Sequence, residues 1–422
     1  MKNIFENIPF GKLYEIPTKN GVTRPSAVRG SGCKMVNMGE LFTYPRLKNP
    51  QMERVPMSES EKAKFSLKPG DLLFARQSLV LEGAGKCSIV LRCEENTTFE
   101  SHIIRVRLDT SKADPLFYFY FFNSDIGFGC VQSIVNQVAA AGIRGSDLEK
   151  LKVLWPELSI QRKIAAVLSA YDDLIETNKK RIEILEKMAE ELYREWFVRM
   201  RFPGYKNTKF VNGLPAGWNM GHLSQVATVV MGQSPKSEFF NYNQVGLPFH
   251  QGVGTYGKRF PEEEVFSSEG RRRAFEGDLL FSVRAPVGRL NIADREMIIG
   301  RGLAAISHFK RKNSYLYYLL KTLFQNEDII GNGAIFNSVG KDELNGFDIH
   351  IHPETLINKF QDIAVSYDKK IGLIIGMNDN LTRTRDLLLP RLISGKLSVE
   401  DLDIQFPTSM REEEVEPELA HA

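Results

Sequence analysis

The sequence has no apolar run approaching the roughly 18 residues needed to cross a bilayer. Its first residues, MKNIFENIPF, carry no signal-peptide hydrophobic region, so a cytoplasmic protein is expected. Cysteine is scarce. Cys33, Cys87, Cys93 and Cys130 all fall in the first half with no CxxC spacing, which favours reduced structural thiols over a metal site. No sign of charge dominates, with 55 Lys and Arg against 52 Asp and Glu, so composition alone does not announce a nucleic-acid binder. Catalytic apparatus is missing as well. The GxxxxGK(S/T) phosphate loop is absent, and Ser394-Gly395-Lys396-Leu397 lacks both its spacing and its hydroxyl residue. The chain has no Asn/Asp-Pro-Pro-aromatic tetrad of the kind that positions a base amino group for methylation, and Asn49-Pro50-Gln51 is not one. GxSxG, HExxH and Cys/His clusters are likewise absent. The seven histidines are scattered, and His350 and His352 stand at a domain edge where a solvated or structural role is the default. These absences argue against an intrinsic enzyme and leave no metal-ligating set to nominate.

What the sequence does contain, it contains twice. Gly11 to Pro25 is echoed by Gly221 to Pro235, sharing the glycine, Leu13/Leu223, Ile16/Val226 and the proline. GDLLF occurs at Gly70 to Phe74 and again at Gly277 to Phe281. Tyr171-Asp172 then matches Tyr367-Asp368. Landmarks kept in order at a period of about 200 residues are too far apart for a solenoid unit and indicate a duplicated domain with its helix. Residues 1–155 mix β-rich runs (Leu72 to Phe74, Ser88 to Leu91, Ile103 to Leu108) with one helix around Leu116 to Phe122, an α+β domain. From Ser159 to Met200 there is neither glycine nor proline, which predicts one long helix within a spacer at 156–202. A second α+β domain occupies 203–352, then a second helical spacer 353–399 whose helix ends near Gly395 as a cap. Residues 400–422, with Glu412 to Glu414 and Pro417, read as an acidic flexible tail.

The long helices carry a heptad seam. Ile164, Leu168, Tyr171, Ile175, Asn178, Ile182, Leu185, Ala189, Leu192 and Trp196 recur at steps of four and three. Phe360, Ala364, Tyr367, Ile371, Ile374, Asn378, Leu381, Arg385, Leu388 and Leu392 keep the same rhythm. Two amphipathic helices each lying on its own domain would also account for such stripes, but the register favours pairing. Asn178 falls at d and Asn378 at a, and only an antiparallel pair layers a against d. That register places Ala189 beside Tyr367, Leu192 beside Ala364 and Tyr171 beside Arg385. Val167, Leu174 and Met188 lie off the seam, available either to partner helices or to the protein's own domains. Gly372 and Gly376, each about 1 kcal/mol poorer than alanine in a helix, weaken the second helix near its centre.

The remaining chemistry is basic and amide-bearing. Arg76, Gln77 and Lys86 come after the first GDLLF, and Arg284 and Arg289 after the second. Gly83, Gly85 and Gly288 beside them would let backbone approach a partner. Arg46 and Lys48 precede the first motif; Gln251, Tyr256, Lys258, Arg259 and Arg271 with its neighbours Arg272 and Arg273 precede the second. Arginine and glutamine can pair bidentately with guanine and adenine edges, while lysine more often meets phosphate. A lone surface arginine is ordinarily a solvated charge, so the clusters carry the expectation of DNA contact.

At Leu148 to Trp155 leading into Pro156 to Gln161, at Trp196 to Gly204, at Leu214 to Trp218, and at Leu389 to Leu397 the chain resembles the specificity subunit of type I restriction-modification systems. The order of domain, helix, domain, helix is that family's plan, and the resemblance spans nearly the whole chain. It implies a non-catalytic subunit with two target-recognition domains held apart by antiparallel helices. Each domain would read one half of an interrupted asymmetric DNA site, and the helices would dock two methyltransferase subunits. S-adenosylmethionine, ATP and Mg would sit on the modification and restriction subunits, with no cofactor on this chain. A helix of about 37 residues spans roughly 55 Å, enough to hold two domains about 34 Å, one DNA turn, apart. The rival readings are a coiled-coil scaffold without a nucleic-acid role and a DNA-modifying enzyme with an unrecognised active site.

Overall fold

A computed structural model describes residues 5–78, 83–137, 141–324 and 338–410. Two helices dominate the chain, Leu158–Tyr193 and Glu354–Ile393. The first contains no helix breaker. It passes into a wider π turn at Arg194–Val198, which brings the adjacent Trp196 and Phe197 both into the core; an inserted residue in the helical ladder shifts the facing of the residues after it. The second opens after Pro353, runs on through Gly372 and Gly376, and closes at Gly395, whose φ of +74° and bond to the Leu392 carbonyl make it the expected cap. Contacts divide the chain into two compact units, Met1–Asn178 with Gly376–Ala422, and Lys179–Ile375. Each long helix is therefore shared between the two units.

Unit one is built on five strands: β1 (Tyr14–Asn20), β2 (Arg46–Lys48), β3 (Leu72–Ala75), β4 (Cys87–Arg92) and β5 (Ile103–Leu108). Their order is β1-β5-β3-β4-β2, antiparallel except for the β2/β4 edge pair. The sheet's helix, Pro115–Phe122, reads PLFYFYFF. It has no polar face, and Leu116 to Phe122 are all buried. Asp114 caps it by accepting from the Phe117 N–H at 2.9 Å. Phe122 meets Phe10 and Phe74 edge-on at 4.9 and 5.0 Å between centroids. Ile164, Ala165 and Leu168 of the first long helix and Leu392 and Ile393 of the second join this same core. Ile404 and Met410 also pack on it, so 400–410 is not the flexible segment expected: its apolar side chains find a surface to cover. Glu412 to Glu414 and Pro417 lie outside the described residues.

Unit two repeats the plan with β6 (Ala227–Met231), β7 (Leu279–Ser282), β8 (Leu290–Ile292) and β9 (Leu303–His308) in the order β6-β9-β7-β8, all antiparallel. Leu13 and Leu223, partners in the first sequence echo, are both buried in 3-10 turns just before the leading strand. Both GDLLF strands lie between the two strands that come next in sequence, with Leu72 opposite Ile89 and Leu279 opposite Ile292. Each unit adds a small second sheet containing one parallel pair, Cys33–Val36 with Thr97–Phe99 and Leu247–His250 with Met297–Ile299. The duplication is thus a duplication of topology. Phe360, fully buried, centres the helical part of unit two among Tyr193, Phe197 and Trp196 at 5.4 to 6.1 Å.

Seam positions of both long helices are buried or half-buried throughout. In unit one the Asn178 amide donates to Asn378 Oδ1 at 2.9 Å, and Asp172 pairs with Arg385, so the helices run antiparallel there. Leu168, Tyr171, Ile175, Leu381 and Leu388 occupy the same stretch. In unit two Ala189, Leu192, Ala364 and Tyr367 lie in one apolar cluster, with Ile182 and Ile371 buried and Leu185 and Ile374 half-buried. One layer differs from expectation. Arg385 turns to the carboxylate of Asp172 instead of the ring of Tyr171, because a charge-assisted hydrogen bond is stronger than contact with an aromatic face.

Candidate nucleic-acid interface

The GDLLF motif is a structural device that aims a loop. Gly70 and Gly277 adopt φ of +90° and +80°, open to glycine at little cost. The next aspartate is buried and tied down. Asp71 accepts from the Lys68 N–H and from both Nε and Nη2 of Arg107 at 2.7 Å; Asp278 accepts from the Phe275 N–H and from Arg311 Nη1 at 2.6 Å. The Leu-Leu-Phe strand is apolar on both faces because it is covered on both. Leu72 and Phe74 enter one cluster and Leu73 another, as do Leu279 with Phe281 and Leu280. A strand so fixed delivers the residues after it to one place.

In unit one those residues are Arg76 and Gln77. The Arg76 N–H donates to the His102 carbonyl at 2.7 Å, and its guanidinium reaches the Ser101 carbonyl at 3.5 Å. Gln77 is exposed. Lys86 is half-buried, its ammonium 5.0 Å from the centroid of the Phe42 ring and 3.4 Å from the Phe42 carbonyl. In unit two the Val283 N–H bonds the Gly302 carbonyl in the corresponding way. Arg284 and Arg289 are exposed, as are Lys258 and Arg271. Gln251 is exposed too, its Oε1 accepting from Ser234 Oγ at 2.7 Å and its backbone carbonyl from the Gly302 N–H. The loops at 251, 284–289 and 300–302 therefore share one edge of unit two. Under them His250 is fully buried against Thr255 Oγ1 at 2.8 Å, and burial lowers its pKa to about 4. Tyr256 is half-buried with its hydroxyl inside, its pKa pushed up by the same desolvation.

The glycines beside these loops are required by the fold itself. A Cβ on Gly85 would stand 2.1 Å from Val131 Cγ1, and one on Gly288 would stand 2.9 Å from the Phe324 ring. Both residues make room for the protein's own core.

Arg46 and Arg259 are also placed away from the surface edge where sequence reasoning put them. Arg46, its side chain 5% exposed, donates to Asp173 at 2.6 Å and Glu176 at 3.0 Å on the first long helix, and Lys48 joins both carboxylates. Arg259, 1% exposed, pairs with Asp368 on the second long helix and with Glu186 on the first at 3.2 Å, while lying 4.9 Å from the centroid of the Tyr317 ring. Burial opposes charge on both guanidiniums. The facing carboxylates and phenol oxygens outweigh it, and both pKa values are raised. An arginine alone in sequence gives no sign of whether a carboxylate waits for it more than a hundred residues away.

Four further groups stand out only in the folded chain. Gln161 Oε1 accepts from the Asp114 N–H at 2.8 Å, and Gln361 Oε1 accepts from the Tyr315 N–H at 2.9 Å. Each of these buried glutamines, near the start of its long helix, satisfies the N-terminus of its unit's domain helix. Both glutamines precede the repeated Tyr-Asp pair of their helix, which was the available signal. Arg301, exposed between Gly300 and Gly302, and Ser234 stand with Gln251 at the unit-two edge. As a surface the two edges offer planar guanidinium forks, amides and ammonium groups, the set that reads base edges and phosphates. Among the described residues no helix is long and apolar enough to cross a membrane.

Residues 38–187 match the family described as the type I restriction modification DNA specificity domain. The chain is 28% identical over 354 residues to a provisionally named type I restriction enzyme MjaX specificity subunit of Methanocaldococcus jannaschii, covering 82% of each. It is 34% identical over 124 residues to the type I restriction enzyme EcoKI specificity subunit of Escherichia coli K12, covering 28% of this chain and 26% of that one. In fold it is similar to the type I restriction-modification system S subunit from M. genitalium, with a TM-score of 0.59 at 16% identity, covering 93% of this chain and 97% of the other.

Proposed function

We propose that the chain is a specificity subunit of the type I restriction-modification kind, in which each unit reads one half of a bipartite, asymmetric DNA site while the long helices dock two modification subunits. The observation that carries this reading is that one framework presents different side chains at the same place: Arg76-Gln77 after the first GDLLF strand, Val283-Arg284 after the second. A repeated frame with divergent tips suits two unlike half-sites held for two like partners. In this proposal Arg76, Gln77 and Lys86 serve one half-site, and Gln251, Lys258, Arg271, Arg284, Arg289 and Arg301 serve the other, with Tyr256 behind them. Apolar side chains left exposed on the long helices, Leu174, Ile184, Met188, Leu373, Met377 and Leu387, support partner docking there, since scattered single residues are ordinary but a helix with this many is not. Methyl transfer from S-adenosylmethionine, and Mg- and ATP-dependent work by restriction subunits, would then belong to the partners and not to this chain.

The test is to co-express the chain with its modification subunits and sequence the host methylome. A single interrupted motif is expected, and exchanging residues 1–155 for those of a relative should change one half only. A change in both halves, or in neither, would sink the assignment. Each of Arg76→Ala and Arg284→Ala should cost about 1–3 kcal/mol at one half-site if it reads a base. Filter binding of the complex should fall steeply with salt, whereas a scaffold without a nucleic-acid role would show no such slope. Inserting one heptad in both long helices should lengthen the unread spacer and leave both half-sites intact; an unchanged spacer overturns the idea that the helices set it.

A further inference from the structure

Arg46 and Arg259 lie within one residue of corresponding places. The Ile89 N–H, opposite Leu72 of the first motif, donates to the Pro45 carbonyl at 2.9 Å; the Ile292 N–H, opposite Leu279 of the second, donates to the Arg259 carbonyl at 3.0 Å. In both units the segment flanking the central sheet therefore drives a buried arginine into carboxylates of the long helices. Guanidinium is suited to this, since a rigid planar fork can meet two carboxylates at once and fixes angle as well as distance. Apart from Lys48, which joins the same two carboxylates as Arg46, strands and helices share apolar clusters, and apolar packing is non-directional.

We propose that Arg46 and Arg259 are positioning residues for site recognition. They do not touch DNA; each sets the angle at which its recognition domain is held on the helices, and so sets how strictly the spacing between half-sites is enforced. The inference rests on the two-half-site reading above. The ion pairs themselves explain why the device is angular: Arg46 is held by residues three apart, Asp173 and Glu176, on one helix face, and Arg259 by one carboxylate from each helix. Rotation of either domain on its helices would break one contact before the other.

The experiment uses the full chain in complex with its modification subunits, assayed on duplexes carrying both wild-type half-sites with the spacer at its natural length or changed by one base pair. In Arg46→Met and Arg259→Met complexes the preference for the natural spacer should fall about tenfold or more, the scale on which small misplacements act, while single-base discrimination within each half-site is kept. Arg46→Lys, which keeps the charge but cannot span two carboxylates, should give an intermediate preference. Because an arginine removed from buried carboxylates can prevent folding, the helix side supplies a second set: Asp173→Asn with Glu176→Gln, and Asp368→Asn, leave both arginines in place and should relax the spacer equally. Unchanged spacer preference across the folded variants overturns the proposal. So does a uniform loss of binding on all duplexes with a shallower salt slope, the mark of a phosphate contact. If the wild-type complex methylates no interrupted site, the specificity reading itself fails; if it does and the variants stay strict, only the positioning role fails.

Discussion

The aspartate of GDLLF is held in a closed site in unit one and an open one in unit two. Asp71 is fully buried and gripped through two nitrogens of Arg107, whose side chain is 12% exposed; Asp278 meets one nitrogen of Arg311, which is 55% exposed. The fasteners differ as well. Arg46 grips a single helix, Arg259 both. Histidine separates the units further, since His250, His308 and His352 are buried in unit two, whereas His102 of unit one is exposed. Duplication has preserved where the strands go and which positions are anchored, and left free how each anchor is made.

The largest expected contrast comes from the paired arginines. Arg107→Ala leaves a buried carboxylate uncompensated and should cost about 3–5 kcal/mol, while Arg311→Ala, losing a largely solvated partner, should cost about 1 kcal/mol or less. Denaturant unfolding of the two variants measures the gap, and equal losses would show that the difference in burial does not matter.

Acid should separate the units next. Burial lowers His352 to about 3 and His250 to about 4, and lowers His308 as well. With folded values below the unfolded value near 6.5, the unfolded chain takes up protons first as pH falls, so unit two loses stability between about pH 6.5 and its folded values. The two more strongly shifted histidines together correspond to about 3–4 kcal/mol between pH 7 and 5. Trp196 and Trp218 lie in unit two, and their fluorescence in a Trp155→Phe background should report a transition moving to lower urea at pH 5. Exchange of unit-one amides should change little over the same interval.

The asparagine layer tests the helices within unit one. Asn178→Leu strands the amide of Asn378 and should cost about 1–3 kcal/mol, and adding Asn378→Leu should restore most of it. A double variant no better than the single one would mean the two amides are not coupled. Smallest, and alike in both units, is the effect at the motif glycines. Gly70→Ala and Gly277→Ala each place a side chain at positive φ and should cost about 1–2 kcal/mol, and a large inequality would break the equivalence of the two turns.

Much of this architecture was legible because its signals are local or periodic. The strands at Leu72, Ser88 and Ile103, the helix at Leu116 to Phe122, the cap at Gly395 and the antiparallel pairing of Asn178 with Asn378 all arise from alternation, heptad spacing and turn chemistry. The candidate edge was legible in part. Gln77, Gln251, Lys258, Arg271, Arg284 and Arg289 are at the surface where loop position put them, whereas Arg46 and Arg259 look the same in sequence and are buried. Gly85 and Gly288 approach the protein's own Val131 and Phe324, because glycine signals a close approach without saying to what.

By itself, then, the sequence determined that a domain and its helix occur twice, which strands carry the repeat, and in which register the helices meet, because repetition and periodicity are written along one dimension. Only the tertiary structure decided which arginines face solvent and which close on carboxylates of the long helices, which aspartate is sealed, and which histidines are kept neutral. Those outcomes depend on the distance between residues far apart along the chain and on the water excluded between them, and neither quantity exists until the chain is folded.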